Sequence, residues 1–344
     1  DILYQGSSGR RTFAPEALPF GTDSFTWIAS LTKLITTTCI MQLVERGHVR
    51  LDDDLRGLVP ELEQASILLG GLLTHTVGLA YDLADPDLTR WTKATGRTAD
   101  NLGWSREGFN TPLKFHPGDA WCYGSSLDWA ALALEKLTRT NLGSYMKENI
   151  FDVLGMRDTG FWPLKLPHVL NRSVAFSNRS DGVLQETPPP IPIQDHEIES
   201  GGAGLFSTAA DYALFLQGFL QGKLLRQETL EAIFTPQLNP EQRRSLESTC
   251  YRNDMMHDAF APEFPRGLPL DHGLGALQNK EDVPGKRRKG SLTWSGMCNS
   301  RWWVDRESGI AAVLFVNVLP HGDPVVKKLY NELETAVYGH VVAK

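Results

Sequence analysis

Ser30 and Lys33, one helical turn apart, open an apolar stretch that ends at Gly47. Within the stretch, apolar side chains recur close to the helical period. These side chains are Leu31, Leu34, Ile35, Cys39, Ile40, Leu43 and Val44. The pattern predicts a helix that begins near Ser30 and that Gly47 ends. Because this helix is apolar on nearly every side, we expect it to be buried, with the other elements packed around it.

The spacing of Ser30 and Lys33 also suggests a chemistry. Residues three apart on a helix share a face, with roughly 5–6 Å between their Cβ atoms. An uncharged lysine amine at that distance can take the serine proton, and free N–H groups at a helix N-terminus favour a developing negative charge. The pair therefore predicts a serine nucleophile that needs no histidine. Alone the signal is weak, because Ser-x-x-Lys also occurs on exposed helices where the lysine is only solvated.

Bulk composition limits the possible classes of protein. The 344 residues are enough for two subdomains, and 41% hydrophobic with 22% charged residues is typical of a globular chain. The net charge of −7 argues against nucleic-acid binding, which needs a basic face. We find no apolar stretch that would span a membrane. The chain begins at Asp1 inside a strand-like run, so we expect that residues upstream, with any targeting signal, have been removed.

The four cysteines are far apart in sequence and form no Cys-x-x-Cys motif. They are Cys39, Cys122, Cys250 and Cys298. This spacing predicts free, buried thiols in a reducing compartment, and so a cytoplasmic protein, with a disulfide or a zinc site as the alternative.

The order of predicted elements indicates an α/β (α+β) fold. Strand-like patterns lie in residues 1–28 and again after residue 290, with helices between them. We therefore predict a sheet domain built from both termini, residues 1–50 and 160–344, and a mostly helical lobe over residues 51–159. Segments 82–118 and 236–272 lack a sustained period and are predicted to be long loops, the second a candidate cover for a pocket. The basic run Lys286–Lys289 predicts a solvated turn or, alternatively, a docking patch for an acyl carrier.

Two further segments carry candidate site residues. Tyr123 lies in a Tyr-Gly-Ser run before a predicted helix, where Ser125 and Asp128 resemble a capping pair. A tyrosine hydroxyl near the serine and the lysine could carry a proton to a leaving group. For an isolated tyrosine, however, a place at the edge of the core is the simpler interpretation.

The run Trp294-Ser295-Gly296-Met297 lies on a predicted strand near the C-terminus. A glycine within a strand lets a ligand approach the backbone closely. The N–H of Met297 could then join the N–H of Ser30 in an oxyanion hole. An ordinary strand bulge is the alternative interpretation.

Taken together, the three motifs resemble those of the serine β-lactamase and penicillin-binding-protein superfamily. They are Ser-x-x-Lys, a Tyr-x-(Asn/Ser) motif and a triplet in the place of Lys-Thr-Gly, in that order. The blocks L-L-T-H-T-V-G-L, F-H-P-G-D-A-W-C-Y-G-S-S and G-G-A-G-L-F-S-T-A-A-D-Y extend the resemblance over nearly the whole chain. The resemblance implies a β-lactamase-like fold, an antiparallel sheet flanked by helices with a mostly helical lobe.

The chain departs from the β-lactamase pattern at two positions. Ser125 replaces the usual Asn, and Trp294 and Ser295 replace the Lys and Thr that help to bind a substrate carboxylate in that family. The run W-S-G-M-C-N-S-R-W-W-V-D resembles instead the class-C-like carboxylesterases and the fungal lovastatin-type transesterases. That resemblance implies transfer of an acyl group from an ester or thioester to a hydroxyl of a bulky natural product, or to water.

The resemblance also implies the role of each site residue. Ser30 is the expected nucleophile, with Lys33 and Tyr123 as its proton acceptors and the N–H groups of Ser30 and Met297 as the oxyanion hole. The expected substrate-binding residues are Trp294, Ser295, Gly296, Ser125 and His272. No cofactor or metal is expected, and a donor carried on an acyl-carrier protein or coenzyme A suits this chemistry. Two alternatives stay open: a β-lactamase or D-Ala-D-Ala peptidase, and a catalytically inactive binding protein with this fold.

Overall fold

The computed structural model describes residues 2–342. The α-helices in this part of the chain are α1 Thr32–Glu45, α2 Leu69–Leu73, α3 Pro86–Thr95, α4 Arg106–Phe109, α5 Ser126–Thr138, α6 Leu142–Met146, α7 Asp152–Leu154, α8 Ala209–Leu220, α9 Gln227–Phe234, α10 Pro240–Cys250, α11 Asp254–Phe260 and α12 Pro324–Val337. The strands are β1 Thr26–Trp27, β2 Ser177–Ser180, β3 Val183–Glu186, β4 Phe206–Ser207, β5 Leu270–Gly273, β6 Ala276–Asn279, β7 Leu292–Ser295, β8 Arg301–Asp305, β9 Ile310–Leu314 and β10 Val318–Leu319.

The main sheet is antiparallel and contains β5 to β9 in the order of the chain. The prediction of C-terminal strands flanked by helices is confirmed, since β7, β8 and β9 lie where the pattern indicated them. The prediction that residues 1–28 supply two strands of this sheet is wrong. Within its described part, residues 2–28, that segment contributes β1, which pairs with β4, and two isolated bridges, Arg10 with Pro19 and Phe25 with Ser173. Its Gly, Ser and Pro residues favour turns over a strand ladder.

The predicted central helix is present and buried. The 3₁₀ turn Ala29–Leu31 carries Ser30 and continues into α1, which packs against α5. Ser30 therefore lies just before the α-helix and not within it. Gly47, with a φ of 73°, ends the helix as predicted by donating its N–H to the Val44 carbonyl.

The segment 51–159, all of which the structure describes, contains helices and no strand, as predicted. The two predicted long loops are wrong in part, because 82–118 contains α3 and α4 and 236–272 contains α10 and α11. Local capping explains both errors. The Asp85 side chain accepts N–H bonds at the start of α3, and Asn239 forms a capping box at the start of α10, each followed by a proline.

One apolar core joins the helices to the main sheet. Leu34 of α1 and Trp302 of β8 both belong to it. On β8 the next side chain, Trp303, points to the other face, where its ring lies 5.6 Å from that of Tyr330 in α12. The sheet is thus covered on both faces, and the proposed boundaries at residues 50 and 160 stay a prediction.

The basic run Lys286–Lys289 is largely neutralised within the fold. Arg287 is fully buried and bonds Glu334 at 2.6 Å, so it is not part of a solvated turn. Lys286 also pairs with Glu334, and Arg288 pairs with Asp282. Little free positive charge is left for a docking patch.

The prediction of free thiols is confirmed. Cys39, Cys250 and Cys298 are buried and unpaired, and Cys122 is half-buried and unpaired. Burial raises the pKa of Cys122 and of Cys298 to about 12, so both stay protonated and unreactive near neutral pH. Among residues 2–342, no helix combines the length and apolar character needed to cross a membrane.

Candidate active site

The backbone turn that carries Ser30 is held in an unusual conformation. The preceding residue, Ala29, has a φ of 47°, a region that non-glycine residues seldom occupy. Strand β7 ends against this turn. A Cβ atom on Gly296 would lie 2.8 Å from the Ile28 carbonyl oxygen and 3.3 Å from the Ala29 Cβ, so only glycine fits there without a shift.

Three chemically active side chains meet at Ser30. The Lys33 amine lies 3.1 Å from the Ser30 hydroxyl, and the Tyr123 hydroxyl donates to the same oxygen at 2.6 Å. Ser30 and Tyr123 are half-buried, while Lys33 is only 1% exposed. The hydroxyl can therefore be approached from solvent, whereas the amine is reached only from within the protein.

The Lys33 amine has two further oxygen partners. It donates to the Gly202 carbonyl at 2.8 Å and lies 3.1 Å from the hydroxyl of Tyr81. The buried Asp128 carboxylate fixes this loop by accepting the Gly202 N–H at 2.9 Å and the Ser200 hydroxyl at 2.5 Å. Burial raises the pKa of Asp128, and the nearby positive charge of Lys33 opposes that shift.

Sequence reasoning missed Tyr81. It lies two residues after the L-L-T-H-T-V-G-L block, and only that proximity could have suggested it. Burial raises the pKa of Tyr81 well above its usual value, so the phenol keeps its proton. A protonated phenol can donate to the lone pair of an uncharged Lys33, which gives the amine a partner in either charge state.

Aromatic rings surround Tyr123. Ring centroids lie 4.9 Å away for Trp294, 5.0 Å for His75, 5.3 Å for Tyr81 and 5.5 Å for Phe260. The Trp294 indole N–H also donates to the Tyr123 hydroxyl at 3.1 Å. These contacts hold the phenol in one orientation, so its hydroxyl stays directed at Ser30.

The turn after β7 brings Met297 to the site. The Gly296 N–H donates to the Ser300 carbonyl at 2.7 Å, and the Asn299 N–H donates back to the Gly296 carbonyl at 2.8 Å. Gly296 touches the turn of Ser30, and the half-buried Met297 is the next residue in the chain. The oxyanion role of the N–H groups of Ser30 and Met297 stays a prediction.

A sequence profile of the family described as Beta-lactamase matches residues 3–337, almost the whole chain. The chain belongs to the beta-lactamase family. This family membership confirms the fold expected from the motifs, an antiparallel sheet with flanking helices.

Several relatives within this family are fungal enzymes. The monacolin J acid methylbutanoyltransferase of Aspergillus terreus is 32% identical over 356 residues, which cover 96% of this chain and 85% of that protein. The lovastatin esterase of Penicillium rubens is 30% identical, and the match covers 98% of this chain and 91% of that protein. Among solved structures, unliganded simvastatin synthase from Aspergillus terreus superposes with a TM-score of 0.87 at 30% identity, over 98% of this chain and 90% of that one. The resemblance to the lovastatin-type enzymes is confirmed.

Only some of the predicted substrate-binding residues lie at the site. Trp294 contacts Tyr123, and Gly296 contacts the turn of Ser30. The Ser295 hydroxyl instead bonds the Ala259 carbonyl at 3.2 Å and His321 at 3.0 Å. Side chains alternate along a strand, so Ser295 points away from the face that Trp294 occupies.

Ser125 and His272 are enclosed and present no surface to a ligand. Ser125 is 0% exposed and His272 is 1% exposed. The Ser125 side chain does not form the predicted cap. The backbone N–H of Asp128 donates to the Ser125 carbonyl oxygen and not to its hydroxyl. The His272 ring meets the Trp294 ring edge-on, with 6.0 Å between their centroids, and burial lowers the pKa of His272 to about 4. His272 is therefore neutral near pH 7.

Within residues 2–342, no three His, Cys, Asp or Glu side chains are grouped as a metal site. The groups positioned for chemistry around Ser30 are an amine, two phenols, an indole and backbone amides. This set can accept and donate protons and stabilise an anion, which are the requirements of acyl transfer.

Proposed function

We propose that this protein is a serine acyl-transfer enzyme that forms an acyl-enzyme on Ser30. It passes the acyl group from an ester or thioester donor to a hydroxyl of a bulky small-molecule acceptor, or to water. The observation that carries the proposal is the position of the Ser30 hydroxyl, within hydrogen-bond distance of both Lys33 and Tyr123 at the exposed edge of a buried cluster.

In the first half-reaction the Ser30 oxygen forms a bond to the acyl carbon. The bond between that carbon and the donor's oxygen or sulfur breaks. The Ser30 proton moves to Lys33 while the Tyr123 hydroxyl stays hydrogen-bonded to the Ser30 oxygen. From Lys33 a proton is passed through the Tyr123 hydroxyl to the departing alcohol or thiol. Lys33 must be uncharged to accept it, and the Tyr81 hydroxyl, 3.1 Å away, can then donate to its lone pair.

In the second half-reaction the acceptor hydroxyl gives its proton to Tyr123 and Lys33 as its oxygen bonds to the acyl carbon. The Ser30 oxygen departs and takes the proton back, so the enzyme is restored without net uptake or release of protons. In both halves the N–H groups of Ser30 and Met297 hold the oxyanion, a contribution of about 2.7–4 kcal/mol per donor in related chemistry.

Substrate binding favours acyl transfer over the β-lactam or peptide alternatives. Trp294 occupies the position where a lysine would attract a substrate carboxylate, and its neighbours Phe260, His272 and Tyr123 are aromatic. An apolar acceptor suits the rings of Phe260 and Tyr123, which are half-buried. The methylbutanoyltransferase and esterase relatives support the same choice at about a third sequence identity.

The test uses a butyryl thioester of a small thiol with a hydroxylated polycyclic acceptor. Mass spectrometry should find a butyryl adduct on Ser30, its loss on addition of the acceptor, and a new butyryl ester. Ser30→Ala should form neither product. Release of butyrate alone, with or without acceptor, would make the protein an esterase. Rapid opening of a chromogenic cephalosporin together with no thioester reaction would favour the β-lactamase alternative, and an unmodified Ser30 would favour the inactive binding protein.

A further inference from the structure

Helix α11, Asp254–Phe260, ends at the candidate site. Its last residue, Phe260, is half-buried, and its ring lies 5.5 Å from that of Tyr123 and 6.0 Å from that of Trp294. The other rings around Tyr123 differ in exposure. His75 and Trp294 are 1% and 3% exposed, so they are enclosed by protein. Tyr81 and Phe260 are the half-buried neighbours, and Tyr81 is the one that lies against Lys33.

The C-terminal end of α11 is fastened to the sheet below. The Arg301 guanidinium donates to the carbonyl oxygens of Asp258 at 2.9 Å and of Ala259 at 2.8 Å. The Ser295 hydroxyl donates to the same Ala259 oxygen at 3.2 Å. Arg301 is 2% exposed, and its charge is well placed opposite the last carbonyls of a helix. The residue after Ala259 is Phe260, so these bonds set where its ring lies.

We infer that Phe260 determines which alcohols the enzyme accepts, and that Ser295 and Arg301 are positioning residues for it. The inference rests on the proposed function. An acceptor hydroxyl must come within hydrogen-bond distance of the Tyr123 hydroxyl to lose its proton. The carbon skeleton of the acceptor then lies beside the rings next to Tyr123, and Phe260 is the half-buried ring that it contacts. The acceptor class is an alcohol on a bulky apolar skeleton, and the acyl chain lies elsewhere in the cleft.

Two series of esters separate the acceptor side from the acyl side. One series keeps an acetyl group and varies the alcohol from ethanol to a polycyclic alcohol, and the other keeps ethanol and varies the acyl chain. Phe260→Ala should raise the ratio of kcat/KM for the bulkiest over the smallest alcohol about tenfold or more, and leave the acyl-series ratio within twofold. Phe260→Leu, which fills more of the space, should shift the first ratio in the same direction by less.

The positioning role predicts a KM effect without a kcat effect. Ser295→Ala should shift the alcohol ratio in the same direction as Phe260→Ala by about two- to fivefold, mainly through KM. Ser295→Thr, which keeps the hydroxyl, should give the wild-type ratio. The matched control is Ser291→Ala. Ser291 is also buried, directly precedes the same strand, and donates its hydroxyl to the Arg288 carbonyl. Phe234→Ala, a half-buried phenylalanine that packs on Phe219, controls for loss of a ring.

Covalent labelling of Ser30 by a small fluorophosphonate separates this inference from the proposed function. Ser30 should still be labelled in the wild type and in every variant of Phe260 and Ser295, which shows that the nucleophile is intact while the alcohol ratio shifts. The inference is wrong if the acyl series shifts instead of the alcohol series, or if Ser291→Ala or Phe234→Ala reproduces the shift. A wild-type protein that is not labelled at Ser30 would overturn the proposed function, and this inference with it.

Discussion

Replacing Trp294 by phenylalanine tests whether the Tyr123 hydroxyl carries charge during the reaction. The substitution keeps an aromatic ring but removes the indole N–H that lies 3.1 Å from that hydroxyl. A hydrogen bond to a group that becomes charged contributes about 1.5–3 kcal/mol, against about 0.5–1.5 kcal/mol for a neutral pair. If Tyr123 acquires phenolate character in the transition state, Trp294→Phe should lower the acylation rate constant by about 10- to 150-fold.

The assay is single-turnover acylation of Ser30 by p-nitrophenyl acetate, in a double-mutant cycle with Tyr123→Phe. In the Tyr123→Phe background the effect of Trp294→Phe should shrink to less than about threefold, because the acceptor of the indole bond is gone. Trp302→Phe is the matched control. Trp302 lies opposite Trp294 in the sheet, is fully buried, and its indole nitrogen has no hydrogen-bond partner among the described residues. Equal losses in both backgrounds would refute the reasoning.

Three further predictions concern other parts of the site. Gly296→Ala should slow Ser30 labelling about a hundredfold, because the new Cβ displaces the nucleophile turn, while Gly57→Ala, which has open space around it, should not. Tyr81→Phe should lower the acylation rate about tenfold or more, measured by stopped flow, because Lys33 loses one of its three oxygen partners. Burial lowers the pKa of His272 to about 4, so the unfolded state binds more protons below pH 6.5. Urea unfolding should therefore show about 2 kcal/mol more loss of stability between pH 7 and 5 in the wild type than in His272→Asn, and an identical pH dependence in both proteins would contradict this.

The parts of the site that sequence predicts are those fixed by local geometry. Ser30 and Lys33 are one turn apart on a helix that its apolar pattern defines, so their contact follows from helical spacing. Tyr123 and Gly296 are distant in sequence, and no periodicity places them near Ser30. They were found because the order of the three motifs resembles that of a known family.

The parts that the sequence did not reveal depend on tertiary packing. Tyr81 reaches Lys33 because the loop before it packs closely on the turn that precedes α5, where the Leu79 carbonyl approaches Gly124. Ser295 follows Trp294 on a strand whose two faces have different partners, and its role depends on which face lies over α11. Helix α11 lies in the segment predicted to be a loop, because its N-cap, Asn253, stands in a polar run that shows no helical period.

The most direct test of the account is the rate of covalent modification of Ser30 measured by intact-mass spectrometry and peptide mapping. Wild type, Ser30→Ala and Lys33→Met are treated with the same p-nitrophenyl ester at pH 7. The account predicts one acyl group on the wild type, located on Ser30, none on Ser30→Ala, and a rate at least about a hundredfold lower on Lys33→Met. An adduct that forms on Ser30→Ala, or at the wild-type rate on Lys33→Met, would contradict the claim that this amine activates this hydroxyl.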